Sequence, residues 1–225
     1  MSKSDLLERP RSESAAGAVG TVVSYIRDGM REGWLVPGQR LIEPDLIARL
    51  GVSRGTVREA LTRLQGEGLV EFERFRGARI RILSRKAVIE LNQIRAVLEG
   101  LGARLAAERI DEKAMAVLRA AHPPFQEALH DYTAYNKALH NTIVRLSGND
   151  SLAPAIAATL RETFRLQFDK TLSTRESRLR SYAEHTGIVE AILKGDAKGA
   201  ERRMIAHINS STEAIMQAPE HFFSK

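Results

Sequence analysis

The stretch GVSRGTVREALTRLQGEGL, residues 51–69, decides the fold of the first third of this 225-residue chain. Gly51 and Val52 close a tight turn, and Ser53 stands where an N-cap must, its hydroxyl available to an orphan N–H of the next helix. Val57, Ala60, Leu61 and Leu64 recur at i, i+3, i+4 and i+7, the stripe of a helix that buries one side. Arg54 and Arg58 lie one turn apart on another face, at the N-terminal end. Such a helix is built to enter a DNA major groove, where arginine pairs bidentately with guanine O6 and N7 or clamps phosphate. Ordinary solvated helices also carry two arginines, so the flanks matter.

Upstream, a helix from about Val19 to Glu32 is followed by a turn at Pro37-Gly38, and Leu46, Ile47 and Leu50 mark a short helix ending at Gly51. Downstream, LVEFERFRGARIRIL (69–83) reads as two strands turning at Gly77, with Leu69, Val70 and Phe72 answered by Ile80 and Ile82. Arg74, Arg76, Arg79 and Arg81 crowd this ribbon, with no acid between Arg74 and Arg81. A basic ribbon suits the phosphate backbone or a narrow minor groove. Helix, turn, helix and basic ribbon make a winged helix-turn-helix. Glu59, Arg63 and Glu67 form an i, i+4 ladder, which gives Arg63 a structural role.

VPGQRL (36–41), GVSRGTVREALTRL (51–64), EGLV (67–70) and RGARI (76–80) occur in order at compatible spacing. In these blocks residues 19–83 resemble the DNA-binding domain of the GntR family of bacterial transcription regulators. The family often has Thr-Pro after Ser-Arg, where this chain has Gly55-Thr56; threonine drops the rigid proline but keeps a hydroxyl for phosphate. The DNA-contacting set expected is Ser53, Arg54, Gly55, Thr56 and Arg58 on the helix, with Arg74, Arg76, Gly77 and Arg79 on the wing.

The net charge of +6 is unevenly placed, with eleven basic and eight acidic residues in 17–83 concentrated on the reading helix and wing. The absence of cysteine excludes disulfides, thiolate metal sites and cysteine nucleophiles. The first sixteen residues are polar and lack an apolar signal core, and no stretch reaches the roughly 18 apolar residues of a bilayer span. A cytoplasmic protein without a membrane partner is expected. Three segments follow: a tail over 1–16, a winged helix-turn-helix over 17–83, and an all-α effector-binding and dimerisation domain over 84–220. The fold class is mainly α.

The helical periodicity places helices near 85–108, 111–121, 124–146, 151–171, 175–194 and 197–217. IRAVLEGLGARLAAE (94–108), NKALHNTIVRLSGN (136–149), EHTGIVEAILKGDAKGA (184–200) and RRMIAHI (202–208) resemble the helical ligand-binding domain of the FadR subfamily. Six helices favour its shorter, VanR-like form.

Asn136 and His140 are i, i+4 on one helix, so both can point inward. His185 is ten residues before Gly195 and His207 eleven after Asp196. If those two helices run antiparallel, a rise of about 1.5 Å per residue brings both imidazoles to similar height. Helix bundles build metal sites this way, although buried histidines satisfied by hydrogen bonds are the simpler reading of any one of them. The resemblance implies a site of one aspartate and three histidines. His140, His185 and His207 match the histidines, and Asn136 replaces the aspartate with a neutral, weaker oxygen donor. Zinc or nickel suits such a set, with manganese as an alternative. Glu184 is expected to point off the site axis, and His122, His130 and His221 are expected at the surface. With no HExxH motif, an enzyme is not expected.

Arg95 matches an arginine that lines the family's effector pocket, where its fork suits a carboxylate; a salt bridge to Glu99, i+4, is the competing use. Arg161 and Arg165 are candidates for a second positive wall. Ala96, Gly100, Ala103 and Ala107 form a small-residue stripe for close helix packing or a dimer face. The resulting expectation is a homodimeric regulator, a repressor, bound to operator DNA and controlled by a small carboxylate in a metal-containing helical domain. The alternatives are a metalloenzyme or metal-handling bundle, and a sequence-indifferent DNA-packaging protein.

Overall fold

A computed structural model of the chain describes residues 15–159 and 174–224. The chain divides between Arg81 and Ile82 into two compact units. The first contains α1 (Ala15–Glu32), β1 (Arg40–Leu41), α2 (Glu43–Leu50), α3 (Arg54–Gly66), β2 (Val70–Glu73) and β3 (Gly77–Ile80).

Helix α1 buries Val19, Val22, Val23, Ile26 and Met30 on one stripe and packs on α3, which buries Val57, Ala60, Leu61 and Leu64. Each of these larger side chains contributes about 1.5–3 kcal/mol when fully buried, the Ala60 methyl less, which fixes the face α3 turns inward and so the face it leaves out. Gly51 ends α2 at φ 64°, a left-handed cap that a side chain would strain, and its N–H donates to Ile47 C=O at 2.9 Å. Ser53 Oγ accepts the Thr56 N–H at 3.1 Å and starts α3.

The wing has three strands rather than the two expected. Central β3 pairs antiparallel with β1 and with β2, in the order β1-β3-β2. Strand β1 is two residues long, too short for any alternation to register in the sequence. Phe72 lies opposite Ala78 and is exposed, so the buried residues of the three strands are Leu41, Val70, Ala78 and Ile80 without it.

The second unit contains α4 (Arg85–Glu108), α5 (Glu112–Ala120), α6 (Phe125–Ala128), α7 (Tyr132–Leu146), α8 (Leu152–Thr159), α9 (Arg175–Leu193) and α10 (Ala197–Met216), closed by a 3-10 turn over Glu220–Phe222. The segment expected as one helix over 124–146 is broken, because Asp131 Oδ1 accepts the Ala134 N–H at 2.9 Å and begins α7 anew. Helix α4 is the spine, packed against α7, α8, α9 and α10. Its small-residue stripe is covered within the chain: a Cβ on Gly100 would lie 2.8 Å from Ile205 Cγ1 of α10. Helices α9 and α10 pack side by side, with Asp196 Oδ1 capping Gly199 at 2.9 Å. No helix among the described residues is long and apolar enough to cross a membrane.

Candidate nucleic-acid interface and metal centre

The buried stripe of α3 turns Arg54 and Arg58 outward, where their side chains are 70% and 65% exposed. Both point Nε at one carboxylate. Glu43 Oε2 takes Arg54 at 3.3 Å and Oε1 takes Arg58 at 3.2 Å. Sequence reasoning missed Glu43, because contacts eleven and fifteen residues away leave no periodic signature. Ser53 and Thr56 hydroxyls lie 2.8 Å apart. A Cβ on Gly55 would meet nothing closer than Ser53 Oγ at 3.7 Å, so the first turn of α3 offers bare backbone.

On the wing, Arg74 and Arg76 are exposed at the tip, and Arg76 stands 4.0 Å from Glu73. Gly77 follows the tip at φ 80°. Arg79, also among the expected DNA contacts, already has acidic partners. It is half-buried and held by Glu71 and Glu73, each at 2.6 Å. Glu71 is its direct cross-strand partner, and strand pairing hides that proximity from a linear reading. Arg63 meets Glu67 at 3.3 Å as expected, and Glu67 also holds Arg27 at 2.6 Å.

In the helical unit, His140 of α7, His185 of α9 and His207 of α10 converge and are buried. His185 Nε2 is 3.2 Å from His140 Nε2 and 3.1 Å from His207 Nε2. Every Nδ1 is engaged elsewhere: His140 by Glu99, His185 by the Tyr135 hydroxyl at 3.2 Å, and His207 by Glu184 at 2.7 Å. A carboxylate only accepts, so in neutral imidazoles the ring protons of His140 and His207 sit on Nδ1 and their Nε2 atoms face inward as lone pairs. His185 can donate to one of them at most, which leaves lone pairs facing each other. A cation resolves this arrangement. Metal–nitrogen bonds of about 2.0–2.1 Å at tetrahedral or octahedral angles separate donors by about 2.9–3.4 Å, the range seen here. Carboxylates and a hydroxyl behind the imidazoles are the supports that fix metal-binding tautomers.

The electrostatics agree. Burial holds His185 well below its ordinary 6.5, and His207 and His140 push it the same way. Burial lowers His207 too, against the opposing pull of Glu184. For Glu99, burial acts upward, but Arg95 and His140 outweigh it and hold the carboxyl well below the usual range. Burial likewise raises Glu184, and its hydrogen bonds from His207 and Ser210 bring the net shift down. Glu184 thus supports the site rather than pointing away from it. His122 is also not the surface residue expected: its ring nitrogens meet Tyr135 Oη at 2.8 Å and Thr186 Oγ1 at 3.0 Å, and it stacks on Tyr182. His130 is exposed, and the side chain of His221 lies outside the described residues.

Arg95 uses Nε for Glu99 Oε1 at 2.6 Å and also lines a cavity of about 100 Å³. Asn136 and His207 share that wall, with Glu184 and the hydroxyls of Thr133, Ser177, Ser181, Ser210 and Ser211. Arg178 and Arg180 line it as well, and the sequence reading passed over both. Arg161 and Arg165 lie outside the described residues.

Two family models match the chain, "Bacterial regulatory proteins, gntR family" over residues 18–80 and the FCD domain over 90–210. The chain is a GntR-family regulator of the FadR type. A relative from Paenarthrobacter nicotinovorans, named "Probable D-xylose utilization operon transcriptional repressor", is 31% identical, covering 88% of this chain and 95% of its own. The regulator LutR of Bacillus subtilis is 27% identical over 83% of this chain and 95% of its own. Among solved structures, a GntR chain from Rhodococcus sp. RHA1 superposes with a TM-score of 0.70 at 23% identity, covering 90% of this chain and all of that one. McbR/YncC of Escherichia coli gives 0.67 at 22%, over 89% and 97%. These two establish the shared fold. This GntR-family protein is a transcriptional regulator.

Proposed function

We propose that this regulator is a cytoplasmic, homodimeric repressor whose grip on operator DNA is released by a small carboxylate held beside a divalent metal. The observation that carries the effector reading is the convergence of three buried histidines, one of which, His207, lines the same cavity as Arg95. His140, His185 and His207 hold the metal, with Asn136 as a weaker fourth donor; zinc or nickel fits best, manganese next. Bound there, the metal supplies a fixed positive charge. Arg95 adds a second, and together they call for an anionic partner. The five serine and threonine hydroxyls around the cavity suit an acid that carries hydroxyl groups of its own.

For DNA, the reader is α3, with Ser53, Arg54, Gly55, Thr56 and Arg58 toward the major groove and Arg74, Arg76 and Gly77 at the wing. A dimer reads half-sites about one helical turn apart. Control follows from differential affinity: the acid binds the DNA-incompetent state more tightly, and linkage makes the antagonism reciprocal.

Calorimetric titration of small hydroxy acids into the zinc-loaded chain, with and without a duplex selected by that chain, tests the whole scheme. One acid should bind, bind less tightly when DNA is present, and lose affinity in Arg95→Ala while that variant retains the duplex. Equal affinity in both titrations removes the allosteric control. Equal binding of selected and random duplexes would favour a sequence-indifferent DNA-packaging protein.

A further inference from the structure

The wing tip carries an aromatic ring where the backbone favours glycine. Phe75 has a φ of 64°, and among the described residues no other non-glycine residue has a positive φ. That conformation crowds Cβ against the backbone and is a genuine outlier for a bulky side chain. The Arg76 N–H donates to Glu73 C=O at 3.0 Å, closing the turn that carries Phe75. The ring is 93% exposed, so the unit recovers nothing by burying it. The Arg74 guanidinium lies 4.8 Å from the ring centroid, and Arg74 and Arg76 bracket it in the chain. A local strain kept without any return in packing is the kind of feature that marks a binding element.

We propose that Phe75 is an apolar wedge that enters the DNA minor groove and opens one base step, while Arg74 and Arg76 hold the phosphates on either side. The proposal rests on α3 being the DNA reader. The chemistry selects duplex DNA because the ring needs an apolar surface framed by anions on both sides. Stacked bases between two phosphate backbones provide that combination. A pyrimidine–purine step is the preferred target, since such steps unstack at the least cost. Wedge insertion from this groove bends the duplex toward the major groove. It also adds sequence preference at a position that α3 never touches.

The test uses the full chain and duplexes that the wild type recovers from a random-sequence pool. Phe75→Gly relieves the strained φ, so it should melt no lower than wild type and yet lose about tenfold in affinity for the recovered duplex. Phe75→Leu keeps an apolar wedge and should stay within about threefold of wild type. With 2-aminopurine moved along the duplex, wild type and Phe75→Leu should brighten one step, whereas Phe75→Gly should brighten none. Wild-type affinity in Phe75→Gly, or no brightening by the wild type at any step, overturns the wedge. The Arg54→Ala/Arg58→Ala variant separates the two readings. If it loses the duplex while Phe75→Gly keeps it, the wedge fails alone; if it binds normally, the reader fails and takes the wedge with it.

Discussion

Each unit of this protein has, at its candidate site, a carboxylate serving two basic side chains, and the two arrangements differ in solvent. In the winged unit Glu43, 20% exposed, holds Arg54 and Arg58, which are at least 65% exposed. In the helical unit Glu99 holds Arg95 and His140, with Glu99 2% and Arg95 12% exposed. Exposed pairs of this kind are worth about 0–1 kcal/mol, because water screens them and long side chains resist being fixed. Losing one partner of a buried pair leaves an uncompensated charge in a poorly solvating interior. The first arrangement can therefore exchange its carboxylate for a phosphate at little cost. The second is fixed, and by holding Nδ1 it also sets which nitrogen of His140 faces the other histidines.

Glu99→Ala should produce the largest effect, a loss of about 3–5 kcal/mol in urea unfolding. A loss no greater than that of a surface pair would erase the distinction between the two units. Metal removal comes next. At free zinc a hundredfold above Kd, binding contributes about 2.7 kcal/mol, so chelation should lower Tm and His185→Ala should abolish the zinc-dependent rise. An unchanged Tm on zinc addition would leave the three histidines as packed, hydrogen-bonded residues.

The same site gives a pH dependence whose sign is fixed by burial. His185 and His207 titrate below their ordinary 6.5 when folded, so the unfolded chain binds more protons as pH falls through that value. Their contribution is complete above about 6.5 and is lost on acidification, and the lowered Glu99 and Glu184 act the same way below their ordinary 4.5. Chelated protein should melt lower at pH 5.5 than at pH 7.5; a flat profile would argue against buried neutral imidazoles.

Glu43→Gln should give the smallest effect, under about 1 kcal/mol in stability. Because it removes a negative charge beside the phosphates, DNA affinity should hold or rise. A marked loss of affinity would mean that Glu43 aims the arginines rather than merely receiving them, and fluorescence anisotropy on a selected duplex distinguishes these outcomes.

Much of this was legible along the chain because it is encoded by local period. The stripe Val57, Ala60, Leu61, Leu64 and the cap at Ser53 name the reading helix from its own residues. The spacing of His185 and His207 about Gly195-Asp196 likewise brings them together once a rise per residue is applied. What the chain alone hides depends on pairing across space. Arg79 reads as a free cation until strand pairing sets Glu71 beside it. His122 reads as a surface residue until Tyr135 and Thr186 take both its nitrogens. The helix over 124–146 reads as continuous because a side chain capping its own backbone, as Asp131 does, hardly disturbs an apolar period.

The sequence by itself determined the winged helix-turn-helix, the helical second domain, the arginines that face out from α3 and the three histidines that face in. Period and capping are properties of neighbours along a chain, so they need no fold to be seen. Only the tertiary structure decided which charges are already spent and which nitrogen of each histidine is free. It also decided that Glu99, Glu184 and Tyr135 stand behind the imidazoles and that Phe75 rides the wing tip unburied. Those facts depend on distance and solvent exposure between residues remote in sequence, and both exist only once the chain has folded.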